Sequence, residues 1–177
     1  GVTDRWYSQL CVSAIGRSIG ATRLDSINWQ NDYLLTQGQY PVDVALHTQL
    51  LRVLGEGHVL EFGSALQTDI GRTQLNLNLI FERKLSGPAA PTELKYQWQL
   101  RYRWQPWLNI GAQGFGELGP WDRFDAWANQ SHRAGPAAFG RFDLERERAL
   151  HWQAAFLRGK VYGRVGHMFT MQVKYAY

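Results

Sequence analysis

Ser131 and His132, with Asn129 two residues before the serine, are the residue types of a nucleophile, its base and a group that orients the base. Some membrane-embedded lipid hydrolases work with such a set. Adjacent residues on a β-strand point to opposite faces, however, so Ser131 and His132 are not expected to form one hydrogen-bonded pair. His47, His58, His151 and His167 lie on separate strands or strand ends without a metal-ligand spacing such as HExxH. They are expected to be polar groups of an interior or a rim. Cys11 is the only cysteine, which excludes a disulfide framework and a Cys-based metal site. The stretch "GFGELG" lacks the lysine and the strand-turn-helix setting of a phosphate loop. Gly111, Gly114 and Gly116 are therefore expected where strands pack closely or bend. No cofactor is expected, and the chain is not expected to be an enzyme.

The residues with more scope are the charged ones, because their signs segregate along the chain. Asp32, Asp43, Glu61, Asp69 and Glu82 come from the first half, and Lys95, Arg101, Arg103, Arg133, Arg141 and Lys174 from the second. Glu117 breaks the rule. Facing one polar interior together with Asn76 and Asn78, these groups would form either a solute pathway with an acidic wall opposite a basic one, or an internal ion network.

The elements that must carry them are strands. Leu75, Leu77 and Leu79 alternate with Gln74, Asn76 and Asn78, a period of two that a helix cannot keep on one face. Leu60, Phe62, Leu66 and Ile70 oppose Glu61, Gln67 and Asp69 in the preceding run, and the two runs meet at Gly71-Arg72 as a tight hairpin. In "ELKYQWQLRYRW", Leu94, Tyr96, Trp98, Leu100, Tyr102 and Trp104 face one way, and Lys95, Gln97, Gln99, Arg101 and Arg103 the other. The same rhythm around residues 6–12, 27–35, 42–50, 108–117, 131–142, 150–157 and 167–177 predicts about ten strands of about ten residues, the length a tilted strand needs to cross a bilayer. Asp143 to Arg148 reads as a charged turn, with a short helix as the alternative.

Short turns are expected at Gly71-Arg72 and Gln105-Pro106, and longer connections at Lys84 to Thr92, Gly119 to Gln130 and Arg158 to Gly166, an alternation typical of transmembrane barrels. Leu54 to Gly57 is shorter than that pattern asks. Trp6, Tyr7, Tyr33, Tyr40, Trp104, Trp107, Tyr175 and Tyr177 fall at one set of strand ends, half of the sixteen Trp and Tyr residues, as in an interfacial aromatic girdle.

A mean hydropathy of −0.37 and the lack of any long apolar run exclude a helical membrane protein, but not a barrel, whose strands average a greasy face with a wet one. Net charge is +4, with the basic residues spread rather than clustered, so nucleic acid is not an expected partner. Gly1 opens without a basic n-region or an apolar h-region, so any export signal is expected to have been removed or to lie outside this sequence.

The ending "FTMQVKYAY" resembles the C-terminal strand of bacterial outer-membrane barrel proteins, which the barrel-assembly machinery recognises. With "GVTDRW" and "LEFGSALQTDIGRTQLNLNLIFER", the chain resembles poorly characterised porin-like barrel proteins of Gram-negative bacteria. The resemblance implies an all-β, up-and-down transmembrane barrel over residues 1–177. About ten strands are expected, or twelve if an earlier hairpin is missing. It also implies an outer-membrane location, with outer-membrane lipid, the assembly machinery and small polar solutes as partners. The expected function is porin-like transport or binding of small polar or charged solutes through the lumen. A barrel-embedded lipid hydrolase, a closed barrel acting through its outer loops, and a soluble ligand-binding barrel are the alternatives.

The facing assignment yields a first test. Leu77→Arg should cost about 2–4 kcal/mol at a lipid-facing mid-bilayer site and Asn76→Arg much less, measured by denaturant unfolding in vesicles. A reversed order of severity would contradict the assignment.

Overall fold

The alternating runs become strands throughout. The computed structural model describes residues 2–16, 22–55, 57–105, 107–144 and 148–176, with side chains for all of these except 13–16, 22, 23, 174 and 176. The strands are β1 (Trp6–Gly16), β2 (Thr22–Leu34), β3 (Asp43–Val53), β4 (Gly57–Ile70), β5 (Thr73–Lys84), β6 (Glu93–Gln105), β7 (Leu108–Pro120), β8 (Ser131–Asp143), β9 (Ala149–Val161) and β10 (Arg164–Ala176). Each is hydrogen-bonded to the next in one antiparallel up-and-down sheet, and no helix interrupts them among the described residues. β1 and β10 stand at the two ends of the order, with no pairing between them among the described residues. At 11 to 14 residues, the strands run longer than the expected ten or so.

Turn chemistry sets the connections. Gly71 has φ +59° at the first central position of the β4–β5 turn while Arg72 does not share it, which fits a type II′ hairpin. The expectation of a long connection from Arg158 to Gly166 is corrected: β9 and β10 stay paired up to Val161 and Arg164, and only Tyr162 and Gly163 turn. Both have positive φ, 45° and 85°, the type I′ pair whose twist matches that of the strands it joins. Strand flanks the charged segment expected as a turn, and Leu144 N donates to Arg148 O at 2.7 Å across it; residues 145–147 lie outside the described ones, as do Glu56 and Pro106.

The chain packs as two compact units. The first is Gly1–Leu66, Leu79–Lys95 and Gly119–Phe124, the second Gln67–Asn78, Tyr96–Leu118 and Asp125–Tyr177. In the first, register aligns like with like across β1, β2 and β3. On one face the rungs Trp6-Tyr33-Leu46 and Leu10-Trp29-Leu50 enclose a polar rung, Ser8-Asn31-Thr48. The indoles satisfy that rung: Trp6 Nε1 donates to Asn31 Oδ1 at 3.2 Å and Trp29 Nε1 to Ser8 Oγ at 3.0 Å. The other face carries Gln9-Gln30-Gln49 and Tyr7-Asp32-His47.

In the second unit, the apolar face of β10 presents Phe169, Met171 and Val173, at 66, 66 and 53% exposure. Alternate residues turn to the polar face, where Thr170 lies opposite Ala155. A small apolar core is set into this polar face on β8 and β9: Ala137, Phe139, Ala155 and Leu157, with Phe115 and Met168 against it. Covering Phe139 and Leu157 contributes about 1.5–3 kcal/mol each relative to exposure in water.

Candidate functional site: the polar face of the strands

In the first unit the polar face gathers ionisable groups from five strands. Asp32 on β2 accepts from His47 Nδ1 on β3 at 2.6 Å, and from Gln30 Nε2 at 2.7 Å. Glu61 on β4 shares a side-chain hydrogen bond with Glu82 on β5, with His47 and Lys95 in electrostatic reach. Lys95 on β6 donates to Glu82 at 2.5 Å. The Glu82 and His47 side chains are 15% and 16% exposed, better covered than Leu10, Trp29 and Leu50 of the opposite face, at 69, 51 and 40%. Asp43 does not join them. Its Oδ1 accepts from Gly38 N at 2.6 Å and so holds the β2–β3 connection, where Gly38 has φ +74°.

In the second unit a line of amides crosses the polar face. Asn76 Nδ2 donates to Gln99 Oε1 at 3.5 Å, Gln99 Nε2 to Gln113 Oε1 at 3.4 Å, and Gln113 Nε2 to Thr170 Oγ1 at 3.4 Å. These bonds are long and therefore weak. Asn78 lies on the same face of β5, half-buried. Arg101 donates from Nη2 to Gln99 Oε1 at 3.2 Å and sets its guanidinium 4.5 Å from the centre of the Phe139 ring. Arg133 lies 4.7 Å from the Phe115 ring centre and donates from Nη1 to Met168 Sδ at 3.5 Å. Neither arginine pairs with a carboxylate among the described residues, and the buried Nε of each has no partner. Arg103 pairs with Asp69 at 2.7 Å, and Arg141 with Asp143 at 2.6 Å. Lys174 stands opposite His151 in the ladder, and its side chain lies outside the described residues.

Two acids of the expected acidic wall thus pair directly with bases of the expected basic one. Glu82 and Asp69 are neutralised by bases one or two strands away, which a linear reading of sign could not foresee because it depends on register. The arginines that remain unpaired rest on aromatic rings instead. Those rings, Phe115 and Phe139, have no signature in the sequence, because an isolated Phe on a polar face carries no periodic signal.

The opposite face of the second unit holds an aromatic and histidine cluster. His132 accepts at Nδ1 from the Tyr96 hydroxyl at 2.7 Å and donates from Nε2 to Gln130 Oε1 at 2.7 Å, while Trp127 stacks on its ring at 4.4 Å. Tyr96 reaches it across β7 because Gly116 lies beneath: a Cβ there would stand 2.6 Å from the Tyr96 ring. Gly114 makes the same room for Trp98. Gly111 stands against the Leu100 carbonyl, so all three glycines occupy close approaches, as expected. Ser131 is fully buried on the polar face, its Oγ without a partner among the described residues. With both His132 nitrogens engaged on the other face, the pair cannot act as nucleophile and base without rearrangement.

Of the aromatic residues expected at a girdle, Trp6, Tyr33, Trp104, Trp107 and Tyr175 are 40, 48, 53, 53 and 47% exposed at strand ends. Tyr7 instead turns to the polar face, where its hydroxyl bonds Gln9, and Tyr177 lies outside the described residues. Among the described residues, no group of three or more His, Cys, Asp and Glu could hold a metal ion. No protein-family model, no curated protein and no solved structure matches the chain.

The ion pair at the centre of the first unit can be tested by a double-mutant cycle. Lys95→Met should cost about 1–3 kcal/mol by leaving Glu82 without its cation, and adding Glu82→Gln should recover part of that loss. Additive losses in urea unfolding would show that the pair contributes nothing as a pair.

Proposed function

We propose that this chain is a β-barrel of the bacterial outer membrane. In this reading β1 closes against β10, the apolar face meets lipid, and the polar face lines a lumen that binds or passes small polar or charged solutes. One observation carries it: Phe169, Met171 and Val173 are more than half exposed, whereas the polar side chains of Glu82 and His47 are largely covered. In water that distribution is inverted, since large contiguous apolar surfaces are rare on soluble proteins. Against hydrocarbon it is the favourable one.

Two further facts support the reading. Unpaired strand edges leave backbone N–H and C=O groups that lipid cannot satisfy, so ten strands in simple sequence gain most by closing. The exposed tryptophans and tyrosines at strand ends are suited to the headgroup level. The same exposure counts against a soluble barrel, in which those residues would be the packed interior. The alternating, aromatic sequence of β10 supports the barrel-assembly machinery as a partner. Arg101 and Arg133 give the polar face of their unit two cations without a carboxylate partner among the described residues, which favours anionic solutes there.

A second reading is a filled barrel acting through its outer loops. Buried Phe139 and Leu157 on the polar face favour it, as do Trp121, Phe124 and Trp127 at more than half exposure in one loop. Conductance in a planar bilayer separates the two. Steady current, with a reversal potential moved toward cation preference by Arg101→Gln and less by Arg103→Gln, whose charge is already paired, is the expected result. Silence from protein verified as inserted would overturn the conduit and leave the filled barrel.

A further inference from the structure

The apolar face of β8, β9 and β10 changes character near the Tyr162–Gly163 turn. Phe156 opposite Phe169 is the last apolar rung; the next same-face position toward the turn on β9 and β10 pairs Arg158 with His167, and the one after it pairs Lys160 with Val165. On the β8 side, Ala134 pairs with Arg158 and His132 with Lys160. Arg158 and Lys160 thus share one face of β9 two residues apart, about 7 Å along the strand. No carboxylate of the described residues pairs with either, or with His167.

The surroundings restrict what could settle there. His167 is held against the Phe156 ring at 5.8 Å, and Lys160 Nζ lies 6.0 Å from the Trp127 ring centre. Ala134 leaves Arg158 open on its β8 side. Below the two cations, Phe156 and Phe169 are 52% and 66% exposed. A free inorganic anion would use only the cations. A molecule with a phosphate at one end and hydrocarbon at the other would use both levels, with the guanidinium offering the planar fork that suits a phosphate.

We propose that Arg158 and Lys160 bind the phosphate of an anionic membrane lipid whose acyl chains lie along Phe156 and Phe169. The inference rests on the lipid-facing reading of this face. A basic side chain at a bilayer surface is attracted to anionic lipid, and long cationic side chains reach the headgroups while their stems stay in apolar surroundings. The cluster of Tyr96, Trp127 and His132 then forms one wall of the site, held in place by the glycine seat on β7.

Native mass spectrometry of the full chain tests this, after reconstitution into phosphatidylcholine vesicles doped with phosphatidic acid and release into micelles. Phosphatidic acid should be retained about tenfold over phosphatidylcholine, a difference of about 1.4 kcal/mol. Arg158→Gln with Lys160→Gln should abolish the preference, and Arg158→Lys with Lys160 intact should keep part of it. Equal retention of the two lipids, or a preference untouched by the double substitution, would overturn the proposal. So would inorganic phosphate binding as well as the lipid and displacing it, since the site would then take a free anion. Carbonate extraction of the vesicles separates the two levels. Protein stripped from the membrane fails both the lipid-facing reading and this inference, whereas protein that stays but shows no lipid preference fails this inference alone.

Discussion

The antiparallel ladder is the constraint on which everything else depends. It satisfies the backbone groups of each strand through its neighbours and, by its pleat, sends alternate side chains to opposite faces. Once register is fixed, each residue is committed to one face, and a slip of one position would exchange the two sets. The rungs Trp6-Tyr33-Leu46 and Tyr7-Asp32-His47 are adjacent in sequence yet belong to different environments. The polar network and the exposed apolar surface are two consequences of one pairing.

Each face then deals locally with the residues that do not suit it. On the apolar face, Asn31 and Ser8 are satisfied by indole N–H groups from neighbouring rungs, and His132 by Tyr96 and Gln130. On the polar face, Phe115 and Phe139 are covered by the guanidinium groups of Arg133 and Arg101, a kind of contact that contributes from about 0.5 kcal/mol when exposed to about 2 kcal/mol when desolvated. Gly114 and Gly116 allow the large rings of β6 to lie across β7. The arginines therefore have a packing role as well as a charge, and a substitution there changes both.

Much of this was legible in the sequence, because a period of two over ten or more residues has one structural solution. The strand number, the order, the Gly71-Arg72 hairpin and the facing of "ELKYQWQLRYRW" follow from alternation and turn chemistry alone. What was not legible depends on register or on single residues. Tyr162-Gly163 forms a tight turn without the Asn-Gly or Asp-Gly signature, so the β9–β10 connection read as long. Asp43 shares the alternation of the interior residues but serves a turn, which only the position of Gly38 reveals. The pairing of Glu82 with Lys95, and the isolation of Arg101 and Arg133 from carboxylates, required knowing which residues stand level on neighbouring strands.

The most direct test of the central claim is the accessibility of β10 in a bilayer. Nitroxide labels would be placed one at a time at positions 168 to 173 of full-length protein in vesicles, with Cys11 replaced by serine. Oxygen, which concentrates in hydrocarbon, should reach labels at 169, 171 and 173 and not those at 168, 170 and 172. A water-soluble nickel chelate should fail to reach the first set. Labels at 169, 171 and 173 relaxed by the chelate rather than by oxygen would place that face in water and contradict the account.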